Sequence, residues 1–256
     1  MVFRRSALAL AGLLTVLPAL AADTLPAPIA AVEARGLTIV GSFEAPAGLK
    51  GYAGQIQGQP VALYLTADGQ HVLVGTLLDA KGQDLTSAPL DKLVNGPRNQ
   101  AAWQTLGESA WVVDGNPKAP RIIYVFTDPE CPYCHRFWQQ ARPWVEAGKV
   151  QLRHVMVGII REESPDESAA VLAAADPAKA LDAHQHGYRQ PGYAMDTSGI
   201  TEAARQQVEA NNDMMTELGI HATPAIYYQE ADGTVRTVMG LPQGDKVEEV
   251  MGSPKP

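Results

Sequence analysis

The sequence predicts a small α+β domain near the N-terminus, a helical connector, and an α/β domain interrupted by a helical insertion. Three observations carry this reading. Apolar, β-prone segments at residues 37–40, 61–65 and 72–78 follow one another with no helix between them, as in a small antiparallel sheet. Further on, the continuous apolar run 122–126 leads into a helical stretch and then a second run at 150–159, the order of a crossover unit built on strands buried on both faces. Finally, an Ala-, Glu- and Gln-rich stretch at about 161–218 precedes two more strands, 225–228 and 235–239, around Asp232-Gly233, and a last helix at 245–251.

Arg4 and Arg5 followed by apolar residues 7–17 and the small-residue pattern Ala19-Leu20-Ala21 read as a cleaved export signal at 1–21. The apolar run stops at Pro18, short of the roughly 20 residues a bilayer span needs. The mature chain is then expected to begin at Ala22 and to work in a bacterial periplasm. Loss of the two leader arginines takes the formal charge from −8 to −10. No Lys/Arg cluster is present to displace counterions, so nucleic acid is not an expected partner.

Residues 22–82 form the N-terminal domain. It opens with a short helix at 28–35 ended by Gly36, and Asp68-Gly69 provides a tight hairpin turn. A domain this short buries little core, which favours pairing with a second copy. Residues 83–109 read as a linker of one or two helices interrupted by Pro89, Gly96 and Pro97, and residues 110–256 as the second domain.

Cysteine usage points to chemistry. The chain has two cysteines, Cys131 and Cys134, and a bridge between them closes almost no loop, so it would not restrain the unfolded chain. The motif Cys131-Pro132-Tyr133-Cys134 follows the buried strand and opens a helix expected to bend or end near Pro143. Unpaired N–H groups and the helix dipole there favour a thiolate at Cys131. Pro132 suits the first helical position. Cys134, one turn deeper and less exposed, is placed to resolve a mixed disulfide. Asp128 and Glu130 would raise the Cys131 pKa, and a protonated His135 would lower it. Thr223-Pro224, at a strand start, is a candidate cis peptide facing the cysteines, where an extended substrate chain could pair with the backbone.

The run from Thr127 through Cys134, the following Phe137-Trp138-Gln139-Gln140-Ala141-Arg142-Pro143-Trp144, and Ala222-Thr223-Pro224-Ala225-Ile226-Tyr227-Tyr228 closely resemble the DsbC/DsbG family of periplasmic thiol:disulfide interchange proteins. The resemblance implies a cystatin-like N-terminal domain and a thioredoxin-like catalytic domain. It also implies a V-shaped homodimer with cysteines facing a shared cleft, kept reduced by a membrane reductant of the DsbD type. Expected substrates are exported proteins with non-native disulfides or sulfenylated cysteines, with chaperone activity as a secondary role. No cofactor beyond the Cys131–Cys134 redox disulfide is implied, and no metal. Glu130 departs from the apolar or aromatic residue common before the first cysteine.

Two other classes compete. Cys131, Cys134 and His135 also spell C-x-x-C-H, the attachment sequence of c-type haem, with His135 and one of Met195, Met214 or Met215 as axial ligands. A binding-only chaperone would leave the motif without a purpose. Zinc through the cysteines with His184 and His186 fits neither finger nor ribbon spacing. Those two histidines are expected to be solvated, Met214 and Met215 to fill core, and Trp138 and Trp144 to pack the active-site helix.

Overall fold

The structure is a computed structural model and describes residues 24–256; the export signal and its cleavage after Ala21 lie outside the described residues. The first unit is a helix α1 (Ala27–Glu33) against an antiparallel sheet of β1 (Thr38–Glu44), β2 (Lys50–Ile56), β3 (Gln59–Leu65) and β4 (Val72–Val74), in the order β1-β2-β3-β4. Ile29 of α1 packs on Leu37, Tyr52, Leu63 and Leu65.

Strand β2 had no apolar signature in the sequence, because two of its seven residues are glycines that make room for neighbours. A Cβ on Gly51 would stand 2.3 Å from the Phe43 ring, and one on Gly54 would meet the Thr38 carbonyl oxygen at 2.7 Å. The Gly54 contact is with backbone and cannot be relieved by a rotamer change. Gly54→Ala is therefore expected to lower unfolding free energy by about 1–3 kcal/mol, measured by urea titration. The expected 72–78 strand is cut to three residues, since Gly75 turns away with φ +145°. The Asp68-Gly69 hairpin is a wider loop than a two-residue turn. The Thr66 N–H reaches the His71 carbonyl at 3.0 Å, and Asp68 caps the Gln70 N–H at 2.9 Å.

The connector is continuous helix rather than two broken pieces: α2 (Ser87–Leu90), a π-helical turn (Asp91–Asn95) and α3 (Gly96–Glu108). Gly96 donates its N–H to the Asp91 carbonyl, the wider π-type bond, and Pro97, which has no N–H to give, follows it directly, so the irregular turn falls where the proline interrupts the regular ladder. Ala102 and Leu106 of α3 pack against Tyr124, Phe126 and Tyr227.

The second unit is a five-stranded sheet in the order β5-β7-β6-β8-β9, from β5 (Trp111–Asp114), β6 (Arg121–Thr127), β7 (Val150–Met156), β8 (Ala225–Gln229) and β9 (Val235–Met239). β6 and β7 are parallel and joined by α4 (Pro132–Glu146); the other neighbours are antiparallel. Alternate residues of β6 face opposite cores. Tyr124 and Phe126 lie with Met214 and Met215 on one side, and Ile123 and Val125 with Phe137, Ala141, Trp144 and Val145 on the other. That division is why the run read as continuously apolar. The insertion consists of α5 (Ser164–Ala173), α6 (Pro177–Gly187) and α7 (Glu202–Glu217), and α8 (Asp245–Met251) closes the fold.

Helix α4 does not end at Pro143; the proline sits inside it, and the helix runs on to Glu146. Trp144 and Val145 are buried beyond it, and the Trp144 indole N–H donates to the Ser253 carbonyl at 3.0 Å. Packing of that last turn outweighs the hydrogen bond proline removes.

Candidate active site

Strand β6 delivers the chain to Asp128-Pro129-Glu130, and Cys131 is the N-cap of α4 in an extended conformation. Its Sγ accepts the Cys134 N–H at 3.4 Å, so a sulfur occupies the place of a capping oxygen. Pro132 is the first helical residue. On the other side of the sulfur lies Thr223, whose peptide bond to Pro224 is cis. The Cys131 thiol donates to the Thr223 carbonyl at 3.4 Å. The buried Thr223 hydroxyl has no nitrogen or oxygen partner. Pro224 in turn accepts the Gly240 N–H at 2.7 Å, which ties its loop to the end of β9.

The two thiols differ sharply in acidity. The Cys134 thiol, aided by the Thr223 side chain and the Cys134 and Tyr133 N–H groups, holds Cys131 down to about 6 against the opposing effect of burial. Burial and the neighbouring Cys131 push Cys134 well above the ordinary thiol value. Cys131 is 3% exposed and Cys134 2%; Cys134 is the more deeply set, as expected, since burial is the largest influence on its thiol and not on that of Cys131. The loop holding Thr223, far from the motif in sequence, lies against the Cys131 sulfur.

Asp128 is buried and works as a hydrogen-bond acceptor. Oδ1 takes the Glu130 N–H and the Ser164 hydroxyl, both at 2.9 Å, while Oδ2 takes the N–H groups of Ile159 at 2.7 Å and Ile160 at 2.9 Å. Glu130 pairs with Arg161 at 3.1 Å. Hydrogen bonds to sulfur and burial are the largest influences on Cys131. Tyr133 is 52% exposed, with the Arg136 guanidinium over its ring.

His135 stacks between Trp138 and Tyr188, and its Nδ1 is 2.8 Å from Gln185 Oε1. His184, expected to be solvated, is instead 2% exposed, with Nε2 hydrogen-bonded to the Pro129 carbonyl at 3.0 Å. Burial pulls its pKa down. The helix bearing it packs inward on the motif loop, and Tyr188 donates to the Glu130 carbonyl at 3.3 Å. His186 is exposed, as expected. Met214 and Met215 lie in the sheet core with Phe126, and Met195 packs against the group of Val112, Met156 and Leu181. Among the described residues, no group of three or more His, Cys, Asp or Glu side chains is placed to hold a metal ion.

The sequence reading missed Gln185 and Tyr188, about fifty residues from the motif. It also missed a polar chain behind it. Buried His154 Nδ1 lies 2.8 Å from the Thr127 hydroxyl, and Nε2 lies 3.5 Å from Asp114, which also pairs with Arg142. His154 and Arg142 bring the Asp114 carboxyl down to about 2 despite its burial. The Arg142 guanidinium covers Trp138 at 4.3 Å from the ring centre.

Comparison with known proteins gives a consistent picture. Residues 112–253 match a thioredoxin-like domain, and residues 19–87 match the disulfide bond isomerase protein N-terminal domain. Thiol:disulfide interchange protein DsbG of Pseudomonas aeruginosa is 51% identical over 91% of this chain and 91% of its own length. DsbG of Escherichia coli is 42% identical over 94% and 97%. DsbC of Dickeya dadantii is 27% identical over 68% and 66%. In fold, the catalytic domain of Proteus mirabilis ScsC superposes with a TM-score of 0.51 at 24% identity, covering 61% of this chain and 96% of that domain. With both of its domains matched and two relatives so similar over nearly their whole length, the chain belongs to the DsbC/DsbG family of thiol:disulfide interchange proteins.

Proposed function

We propose that the chain reduces and isomerises disulfides of exported proteins in the periplasm, with Cys131 as nucleophile and Cys134 as resolving thiol. The observation that supports this most is the split acidity of the pair: Cys131 is lowered to about 6 and Cys134 raised. Near neutral pH the outer sulfur is a thiolate and the inner one keeps its proton. The thiolate attacks one sulfur of a substrate disulfide; a Cys131–substrate bond forms and the substrate S–S bond breaks, its departing thiolate taking a proton. In reduction, Cys134 loses its proton and attacks Cys131 Sγ. The second substrate thiol leaves, and the enzyme ends as the Cys131–Cys134 disulfide. In isomerisation, another substrate thiolate attacks the mixed disulfide and returns Cys131 reduced. A substrate sulfenic acid would enter the same sequence, with water as the group displaced by Cys131.

Thr223 and Pro224 flank the attacking sulfur on the side an extended client would approach, and the Thr223 hydroxyl is the group to stabilise the thiolate once its proton is gone. A membrane reductant of the DsbD type would restore the dithiol. Two copies would join through their N-terminal sheets. The partner-facing edge would be β4, where Leu73 and Val74 are 58% and 59% exposed on a strand that is bonded on one side only among the described residues.

The test is the pH dependence of the first step. Because the reacting form is the thiolate, the rate of alkylation or of mixed-disulfide formation should be level above a midpoint near the Cys131 value of about 6. Below it the rate should fall roughly tenfold per pH unit. A midpoint at the ordinary thiol value would remove the assignment. Stability of the reduced protein should follow the same group. A folded-state pKa below the unfolded one contributes stability that is complete above the unfolded value and is lost as pH falls through the folded one.

A further inference from the structure

We propose that Ile159 and Ile160 form a rigid apolar tip that grips side chains of an unfolded, disulfide-bearing polypeptide beside Cys131; the inference rests on the exchange function above. The two isoleucines are 44% and 45% exposed, although the residue before Gly158, Val157, is fully buried and donates its N–H to the Thr127 carbonyl at 3.0 Å. Their exposure is imposed by the backbone. The N–H groups of both are held by Asp128 Oδ2, the Gly158 N–H is held by Asn212 Oδ1 at 3.0 Å, and a Cβ on Gly158 would stand 2.4 Å from Pro165. The loop is therefore fixed with two branched apolar side chains outward, so little conformational freedom is lost when something covers them.

Its position relates it to the chemistry. The carboxylate that holds the tip also holds the Glu130 N–H, and the Asp128 carbonyl accepts the Cys131 N–H at 3.1 Å. One buried residue thus fixes both the tip and the nucleophile. A correctly folded protein hides its apolar side chains, whereas a misbridged one leaves them in reach. An apolar contact held by the same residue that positions the nucleophile therefore selects clients by their state of folding rather than by sequence.

The test uses the full chain carrying Ile159→Ser with Ile160→Ser, alongside Ile159→Val with Ile160→Val. Each is assayed on oxidised glutathione and on scrambled ribonuclease. Covering the remaining half of two isoleucines is worth roughly tenfold in affinity. The serine pair should therefore keep the glutathione rate and the Cys131 pH midpoint, and lose about tenfold in kcat/KM on ribonuclease, mainly through KM. The valine pair should keep most of it. An unchanged ratio of the two rates overturns the proposal. So does a serine variant whose mass in light scattering changes, which would assign the tip to contact between copies. Wild-type protein active on glutathione but idle on ribonuclease would overturn it while leaving exchange intact; inactivity on both would remove the exchange function itself and the tip with it.

Discussion

Cys131→Ser should abolish disulfide exchange, while Cys134→Ala should keep the first step and accumulate mixed disulfides with client proteins. The asymmetry follows from the two environments. At Cys131 the donors around the sulfur, from the Cys134 N–H at 3.4 Å to the Thr223 side chain, outweigh burial, whereas at Cys134 burial and the neighbouring Cys131 outweigh the donors. A serine hydroxyl there would remain protonated at any pH the protein survives, and oxygen does not replace sulfur in the exchange. Cys134 lies inside α4 with its thiol reaching the Phe126 carbonyl at 3.9 Å, and burial keeps its proton on, so the first attack on a client falls to the Cys131 thiolate. Removing it takes away the group that expels the bound client. Non-reducing gels of periplasmic extracts would show the trapped species, and mass spectrometry would identify them. Cys134→Ala should also raise the Cys131 pKa, because the Cys134 thiol is the largest of the influences lowering it. Equal absence of trapped species in both variants would contradict the division of roles.

The parts of this site that could be read in the sequence are those governed by local spacing. A buried strand, a turn, and Cys-Pro-Tyr-Cys at a helix start specify each other within a dozen residues, and the alternation of Ile123 to Phe126 between two cores was legible as one apolar run. Contacts made across the fold were not. Nothing near His184 signals that α6 turns inward and that the Pro129 carbonyl waits 3.0 Å away. Asp128 read as a charge beside a thiol, yet its four donors come from Glu130, Ile159, Ile160 and Ser164, three of them more than thirty positions distant. Strand β2 was invisible for a different reason: its glycines are selected by what sits opposite, Phe43 and the Leu37–Thr38 backbone and side chains, and so they erase the alternation that marks a strand. The covering of Cys131 belongs to the same class of contact, formed by elements far along the chain.

Substituting the β4 edge should convert a dimer into a monomer and reverse the redox state of the protein in the cell. β4 is three residues long, paired to β3 through Leu63–Val74, Tyr64–Leu73 and Leu65–Val72, and open on its other side. Leu73 and Val74 are among the most exposed large apolar residues described, and Leu78 beyond them is 56% exposed. Apolar side chains on an unpaired edge favour sheet-to-sheet association, and lysines there oppose it through repulsion and desolvation. Leu73→Lys with Val74→Lys should therefore leave each chain folded, since both positions already face solvent, while light scattering shows the mass halved. The cysteine pair lies at the start of α4 in the other domain, so the rate on a small disulfide should be unchanged. What should change is access: in the proposed dimer two catalytic domains would face one cleft and hinder a bulky oxidising partner, and a lone domain would not. Alkylation trapping should find Cys131 and Cys134 mostly reduced in cells holding the parent chain and mostly oxidised in those holding the variant. If the monomeric variant stays reduced while the reductant pathway is intact, dimerisation is not what sets the direction of exchange, and the acidity of Cys131 with its Thr223 contact becomes the place where direction is determined. A parent chain that is itself monomeric would end the idea before the variant is made.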